Sequence, residues 1–134
     1  MGMIDDKGAG EIADAFLAAG QRVYKYLHDN YGKITHGKYE SLDDSFKTIM
    51  RASTFATTEA VGLAIDAMAD PVIEIKNVID TAKEKIEELK TIDNVIKLAA
   101  DLADLASGII AKDPNAIGNA VKNLIDQIKP IKSN

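Results

Sequence analysis

The chain of 134 residues contains no cysteine and no tryptophan. Without cysteine, disulfide bonds, thiolate metal sites and thiol nucleophiles are excluded. The chain also lacks the basic excess that nucleic-acid binders carry, because 21 acidic residues outnumber 16 basic ones and give a net charge of -5. We therefore expect no contact with nucleic acid.

Long apolar segments are missing as well. Uncharged stretches such as 52–58, 105–111 and 114–121 fall well short of the ~20 apolar residues that a transmembrane helix needs. The first six residues do not combine a basic region with an apolar one, so we expect no secretory signal. These absences predict a cytoplasmic protein and leave export without a signal open.

Motifs of enzyme chemistry are absent too. The sequence has no Gly-x-Ser-x-Gly, no His-Glu-x-x-His and no phosphate-binding glycine loop followed by Lys-Ser/Thr. His28, Asp29, His36 and Glu40 could offer metal ligands, but nothing in their placement fixes a ligand geometry. We expect a non-enzymatic protein with no metal and no cofactor. A small enzyme or ligand-binding protein is the third-ranked hypothesis.

What the chain does contain is helical periodicity along most of its length. Apolar residues recur every three or four positions, and no segment alternates as a strand would. This pattern predicts an all-α, antiparallel bundle of four to five helices in one domain, residues 1–134. The first helix is expected over about Gly10 to Tyr31.

Capping residues suggest where the other helices begin. Ser41, with an acid three residues later, predicts the start of a second helix that runs to about Asp70. Thr91 and Asp113 are predicted N-caps of two later helices, the last of which is stopped by Pro130. At Pro71 the apolar pattern continues without a phase change, which slightly favours one helix kinked there over a new helix.

The aromatic residues are distributed unevenly. All seven aromatic residues and both histidines lie between Phe16 and Phe55. Within this part, residues 28–41 lack helical patterning and are predicted to form a loop. Tyrosine and basic side chains are typical of protein interfaces. The predicted partner-binding residues are His28, Tyr31, Lys33, His36, Lys38 and Tyr39.

The expected partner is an acidic or mixed-charge protein. Two other interpretations of the 28–41 segment stay open: a solvated connector, or a site for an anionic ligand. Between Arg22 and Lys38 the chain carries four cations against a single acid, Asp29, which gives the segment a basic character within an acidic protein.

A membrane-active, pore-forming bundle is the second hypothesis for the whole chain. It depends on the stretch 105–111, which is apolar on all sides, although the acids flanking this stretch oppose binding to anionic lipids. Homo-oligomerisation is left open. The heptads from Val72 to Leu89 would place lysine against lysine in a self-paired coiled coil, which disfavours it.

Overall fold

A computed structural model describes residues 6–55, 71–89 and 91–132. These residues form α-helices joined by short connections, and no strand occurs among them. The predicted all-α bundle is confirmed. The helices of the described residues are α1 (Asp6–Asp29), α2 (His36–Phe55), α3 (Pro71–Glu88), α4 (Ile92–Ala111) and α5 (Pro114–Lys132).

Two predicted helix starts are confirmed by their caps. The side chain of Thr91 accepts a hydrogen bond from the backbone N–H three residues later, at 3.4 Å, and begins α4. Asp113 Oδ1 accepts from the N–H groups of Asn115 at 3.1 Å and Ala116 at 3.3 Å, and begins α5. Between these two helices Lys112 adopts a left-handed φ of 60° and closes α4.

The start predicted for the second helix is wrong. Helix α2 begins at His36 rather than after Ser41, and Thr35 Oγ1 accepts a hydrogen bond from the N–H of Lys38 at 3.4 Å. Thr and Ser are both common N-caps, so a cap signal alone does not choose between them. The connection between α1 and α2 is therefore residues 30–35 and not 28–41. Gly32 supplies its tight turn with a φ of 102°.

The end predicted for the last helix is also wrong, because α5 continues past Pro130 to Lys132. Proline has a φ that is compatible with a helix, although it lacks the N–H that would bond to the carbonyl four residues earlier. Helix α3 begins at Pro71. The predicted course of the second helix to Asp70, and the choice between a kink and a new start at Pro71, concern residues 56–70, which lie outside the described residues.

Helices α1 and α2 form an antiparallel hairpin. Gly20 lies against Met50, and the ring of Tyr24 lies against that of Phe46. Tyr24 is four residues closer to the connection than Gly20, and Phe46 is four residues closer than Met50, so the two helices pair in a constant antiparallel register. Helix α1 also packs on α3, α2 on α4, and α5 on both α3 and α4.

One hydrophobic core joins all the described helices. Its members lie on the faces that the periodicity predicts. The fully buried large side chains are Phe16, Ile12, Leu42, Ile49, Ile75, Ile79, Ile86, Leu98, Leu102, Leu105 and Ile109. No helix in the described part of the chain is both long enough and apolar enough to cross a bilayer.

The connection 30–35, the end of α3 and the start of α4 lie at the same end of the bundle, which we call the turn end. Lys38 Nζ reaches Asp93 Oδ1 at 2.9 Å and so joins the first turn of α2 to the first turn of α4. The C-terminal parts of α1 and α3 meet at this end as well, through an ion pair between Arg22 and Glu87. The turn end is where the predicted binding residues are found.

Candidate partner-binding site

The structure brings three of the predicted site residues together at one pocket. This pocket has a volume of about 450 Å³ and is lined by Tyr31, Gly32, Ile34, His36 and Tyr39. Tyr31 belongs to the connection, whereas His36 and Tyr39 belong to the start of α2. The remaining predicted residues, His28, Lys33 and Lys38, lie in the last turn of α1, in the connection and in the first turn of α2.

Two tyrosines form one wall of the pocket. The rings of Tyr31 and Tyr39 meet edge to face, with centroids 5.8 Å apart and an interplanar angle of 81°. Tyr39 is half-buried and packs against the core, as does Ile34. The Tyr31 side chain by contrast is 72 % exposed. The anchored ring of Tyr39 thus supports a ring that is presented to solvent.

A second aromatic cluster, which the sequence prediction did not include, lies on the same hairpin. The ring of Tyr24 is 5.4 Å from that of Phe46 and stacks on His28 at 6.5 Å and 14°. Phe46 is half-buried and packs against the core. Tyr24 is 56 % exposed.

The two aromatic clusters share one face of the hairpin. Phe46 follows Tyr39 by seven residues on α2, which is about two helical turns, or ~10 Å. Tyr24 precedes Tyr31 by the same number of residues, with Tyr24 on α1 and Tyr31 in the connection just beyond it. Because the hairpin is antiparallel, the contacts Tyr24 to Phe46 and Tyr31 to Tyr39 are in the same register. We call this face the aromatic strip and define it as Tyr24, His28, Tyr31, Tyr39 and Phe46. Its seven-residue spacing was the signal in the sequence that could have revealed it.

The strip continues along α1. Leu17 is 36 % exposed and lies seven residues before Tyr24. Leu17, Tyr24 and Tyr31 are the large apolar side chains that are exposed among the described residues. All three follow the same seven-residue spacing.

The basic character expected of the site is mostly neutralised. Three of the cations form ion pairs: Arg22 with Glu87, Lys25 with Asp29 at 2.7 Å, and Lys38 with Asp93 at 2.9 Å. The hydrogen bond from Lys25 lowers the pKa of Asp29 below its usual value. Lys33 is exposed and forms no ion pair with any described residue. The free positive charge is thus concentrated at Lys33, beside the pocket.

His36 contacts an acidic side chain one turn later on α2. Its Nε2 lies 3.2 Å from Glu40 Oε2, and both side chains are exposed. Within the described residues no three His, Asp or Glu side chains converge as a metal site would require.

Comparisons with known proteins add no relative. No protein-family model, no curated protein and no solved structure matches the chain. The functional argument therefore depends on the geometry of the aromatic strip.

Proposed function

We propose that this protein is a non-enzymatic interaction module that binds an amphipathic helix of a protein partner along the aromatic strip. The observation that carries the proposal is the regular spacing of the exposed apolar side chains Leu17, Tyr24 and Tyr31. Apolar side chains scattered singly over a surface are normal and need no explanation, but a contiguous row of them marks an interaction site.

The spacing also indicates the shape of the partner. Leu17 and Tyr24 are seven residues apart on α1, and Tyr31 follows at the same interval in the connection. A seven-residue repeat of apolar residues on a second helix would match this spacing, as in helix pairs. Tyrosine adds a large contact area at a low cost in side-chain entropy, since it has only two rotatable angles. A partner helix with apolar residues at i, i+7 and i+14 would therefore meet Leu17, Tyr24 and Tyr31 in turn.

The pocket at the turn end supplies an anchor for one side chain of the partner. Its apolar walls, Tyr31, Ile34 and Tyr39, suit a large aliphatic or aromatic group. Lys33 lies next to Gly32 at the rim and is available to a carboxylate of the partner. Because the other cations are already paired, the charge of the site fits a mixed-charge partner better than a strongly acidic one.

The proposal can be tested with a photo-crosslinking amino acid in place of Tyr31. The expected result is covalent capture of a partner, and purified partner should then bind the unmodified chain with a measurable Kd. Tyr24→Ala, Tyr31→Ala and His36→Ala together should weaken that binding at least about tenfold, as expected when hot-spot side chains are removed. All three side chains are exposed, so the circular dichroism spectrum should remain unchanged.

A matched control is available on α5. Asn115, Asn119 and Lys122 are exposed and lie far along the chain from the strip. Their triple alanine variant should bind the partner as the unmodified chain does, and a crosslinker at Asn119 should capture nothing. Equal capture from both positions, or equal loss of affinity in both triple variants, would rule out the strip as the binding surface.

The membrane-active bundle remains the alternative, with a weaker basis. In the stretch 105–111, Leu105 and Ile109 are buried while Ser107 and Ala111 are exposed. This is the two-sided pattern of a helix packed in a bundle. A membrane-active protein would release dye from liposomes of phosphatidylcholine and phosphatidylglycerol, whereas we expect no release.

A further inference from the structure

The partner helix that would match the aromatic strip has the same pattern as the strip itself. Such a helix presents apolar residues at i, i+7 and i+14, and this chain presents Leu17, Tyr24 and Tyr31 at that spacing. Tyr31 lies just beyond α1, where its N–H donates to the carbonyl of His28 at 3.4 Å and extends the last turn. A face with this property can pair with its own copy, as the interface of a two-fold dimer does.

An antiparallel pair of copies brings the exposed leucine to the turn-end pocket. With the two-fold axis at Tyr24, Leu17 of each copy faces Tyr31 of the other, because both lie seven residues from the axis. Tyr31 and Tyr39 line the pocket, whose apolar walls suit a large aliphatic side chain. One chain thus supplies both the pocket and a side chain that fits it.

The centre of the strip carries no net charge. A two-fold axis brings each residue close to its own copy, so an unpaired charge there would face the same charge. The two lysines next to the centre are Lys25 on α1 and Lys47 on α2. Each forms an ion pair on its own helix, Lys25 with Asp29 at 2.7 Å and Lys47 with Asp43 at 3.0 Å. The centre of the strip can therefore approach its own copy without a net repulsion between like charges.

Charges of opposite sign lie at the two ends of the strip. Asp14 is exposed three residues before Leu17, and Lys33 is exposed two residues after Tyr31. Neither forms an ion pair with a residue in the described part of the chain. An antiparallel pair places Asp14 of each copy near Lys33 of the other, whereas a parallel pair would place each charge against its own copy. The charges therefore favour the antiparallel arrangement, in which Leu17 faces Tyr31.

We propose that the helix bound by the aromatic strip is α1 of a second copy of this chain, in an antiparallel two-fold dimer. Tyr24 lies at the axis, Leu17 enters the turn-end pocket of the other copy, and Asp14 pairs with Lys33. This inference rests on the proposed function, because it names the partner of the same strip. The strip is about 21 Å long and two helices, about 20 Å, wide, which gives ~400 Å² per copy. Stable interfaces bury ~800 Å² per partner, so we expect a weak dimer with a Kd of about 1–100 µM.

Sedimentation velocity of the purified full chain, at concentrations below and above the expected Kd, tests the proposal. We expect a shift from monomer to dimer as the concentration rises. Asp14→Lys and Lys33→Asp should each raise the dimer Kd about tenfold, because each turns two attractive contacts of the dimer into repulsive ones. The double variant exchanges the two charges, keeps the net charge and should return the Kd to within about twofold of the unmodified chain. Both positions are exposed, so all three variants should fold normally.

A photo-crosslinking amino acid in place of Leu17 tests the register in the purified chain. In the covalent dimer, mass spectrometry should find position 17 of one copy joined to residues 31–39 of the other. A crosslink between the two copies of position 17 would show a parallel pair and contradict the proposal.

The matched control is Asp126→Lys, which makes the same charge change at an exposed position on α5 and should leave the dimer Kd unchanged. If this control weakens the dimer as Asp14→Lys does, or if the double variant dimerises no better than the single ones, the inference is wrong. A chain that stays monomeric above the expected range of Kd also overturns it. Capture of a different protein through Tyr31 would then leave the proposed function standing, whereas no capture through Tyr31 would overturn both.

Discussion

At the scale of single residues, burial separates the ring that maintains the fold from the ring that is free to bind. Tyr31 is 72 % exposed and touches one other ring, whereas Phe16 is fully buried. Tyr31→Ala should lower the free energy of unfolding by about 1 kcal/mol or less, the worth of one aromatic pair. Phe16→Ala should lower it by about 3–5 kcal/mol, because it leaves a cavity in the core.

Urea denaturation of both variants measures this difference. Tyr31→Phe is the control for the hydroxyl group and should match the unmodified chain. A loss for Tyr31→Ala as large as that for Phe16→Ala would mean that the ring is part of the core, and the aromatic strip would not be a free surface.

Asp101 should leave a signature in the pH dependence of stability. Partial burial raises its pKa in the folded state, so folding disfavours the charged form. The unmodified chain should therefore gain stability relative to Asp101→Asn as the pH falls through the folded pKa toward the unfolded value, and lose that gain as the pH rises. At pH 7 the variant should be at least as stable as the unmodified chain.

Urea midpoints of the two proteins between pH 3.5 and 7 provide the measurement. Asp101 is only partly buried, so we expect a small difference. For Asp29 we expect the opposite pH dependence of stability. Its pKa is lowered, first by the hydrogen bond from Lys25, so its stabilising contribution is lost as the pH falls. A difference in urea midpoint between Asp101→Asn and the unmodified chain that stays constant with pH would contradict the raised pKa of Asp101 in the folded state.

At the scale of helices, two glycines on the α4–α5 hairpin have opposite environments. A Cβ at Gly108 would lie 3.1 Å from the backbone nitrogen of Ile117 and 3.3 Å from the Cβ of Ala116, so α5 would have to move. A Cβ at Gly118 would meet no atom within 4 Å. Gly108→Ala should therefore destabilise the protein by about 1–3 kcal/mol through overpacking. Gly118→Ala should stabilise it by about 0.5–1 kcal/mol, because alanine favours the helix.

Thermal unfolding followed by circular dichroism compares these two variants. The pair controls for the chemical change, since each adds one methyl group to a helical glycine. If both substitutions raised the melting temperature, helix propensity would dominate at both positions and the close approach of α4 to α5 would be wrong.

The same scale shows what the sequence could predict. Helical periodicity was sufficient for the core, and the caps at Thr91 and Asp113 were correct because each directly precedes an apolar repeat. The start of α2 was missed because Gly37 and its polar neighbours interrupt the pattern there. The half-buried Tyr39 contacts the core one turn earlier than expected. The strip was found only in part, because Tyr24 and Phe46 join it through contacts between helices, which periodicity within one helix does not show.

At the scale of the whole molecule, the tyrosines report on one part of the bundle. The chain has four tyrosines and no tryptophan, and all four tyrosines lie on α1, on α2 or between them. Tyrosine fluorescence therefore follows the α1–α2 hairpin, whereas circular dichroism at 222 nm follows every helix. Because a single core cluster contains residues of all the described helices, the two signals should have the same urea midpoint, as in a two-state transition.

Gly108→Ala makes this comparison more stringent, because it disturbs the contact between α4 and α5 and leaves the surroundings of every tyrosine unchanged. If the bundle unfolds as one unit, the loss of stability at Gly108 must lower the fluorescence midpoint by the same amount as the circular dichroism midpoint. A fluorescence midpoint that stays in place while the other signal shifts would show that the α1–α2 hairpin unfolds independently of α4 and α5. The aromatic strip would then belong to a separately stable unit, and residues 1–134 would not fold as the single domain that the sequence predicts.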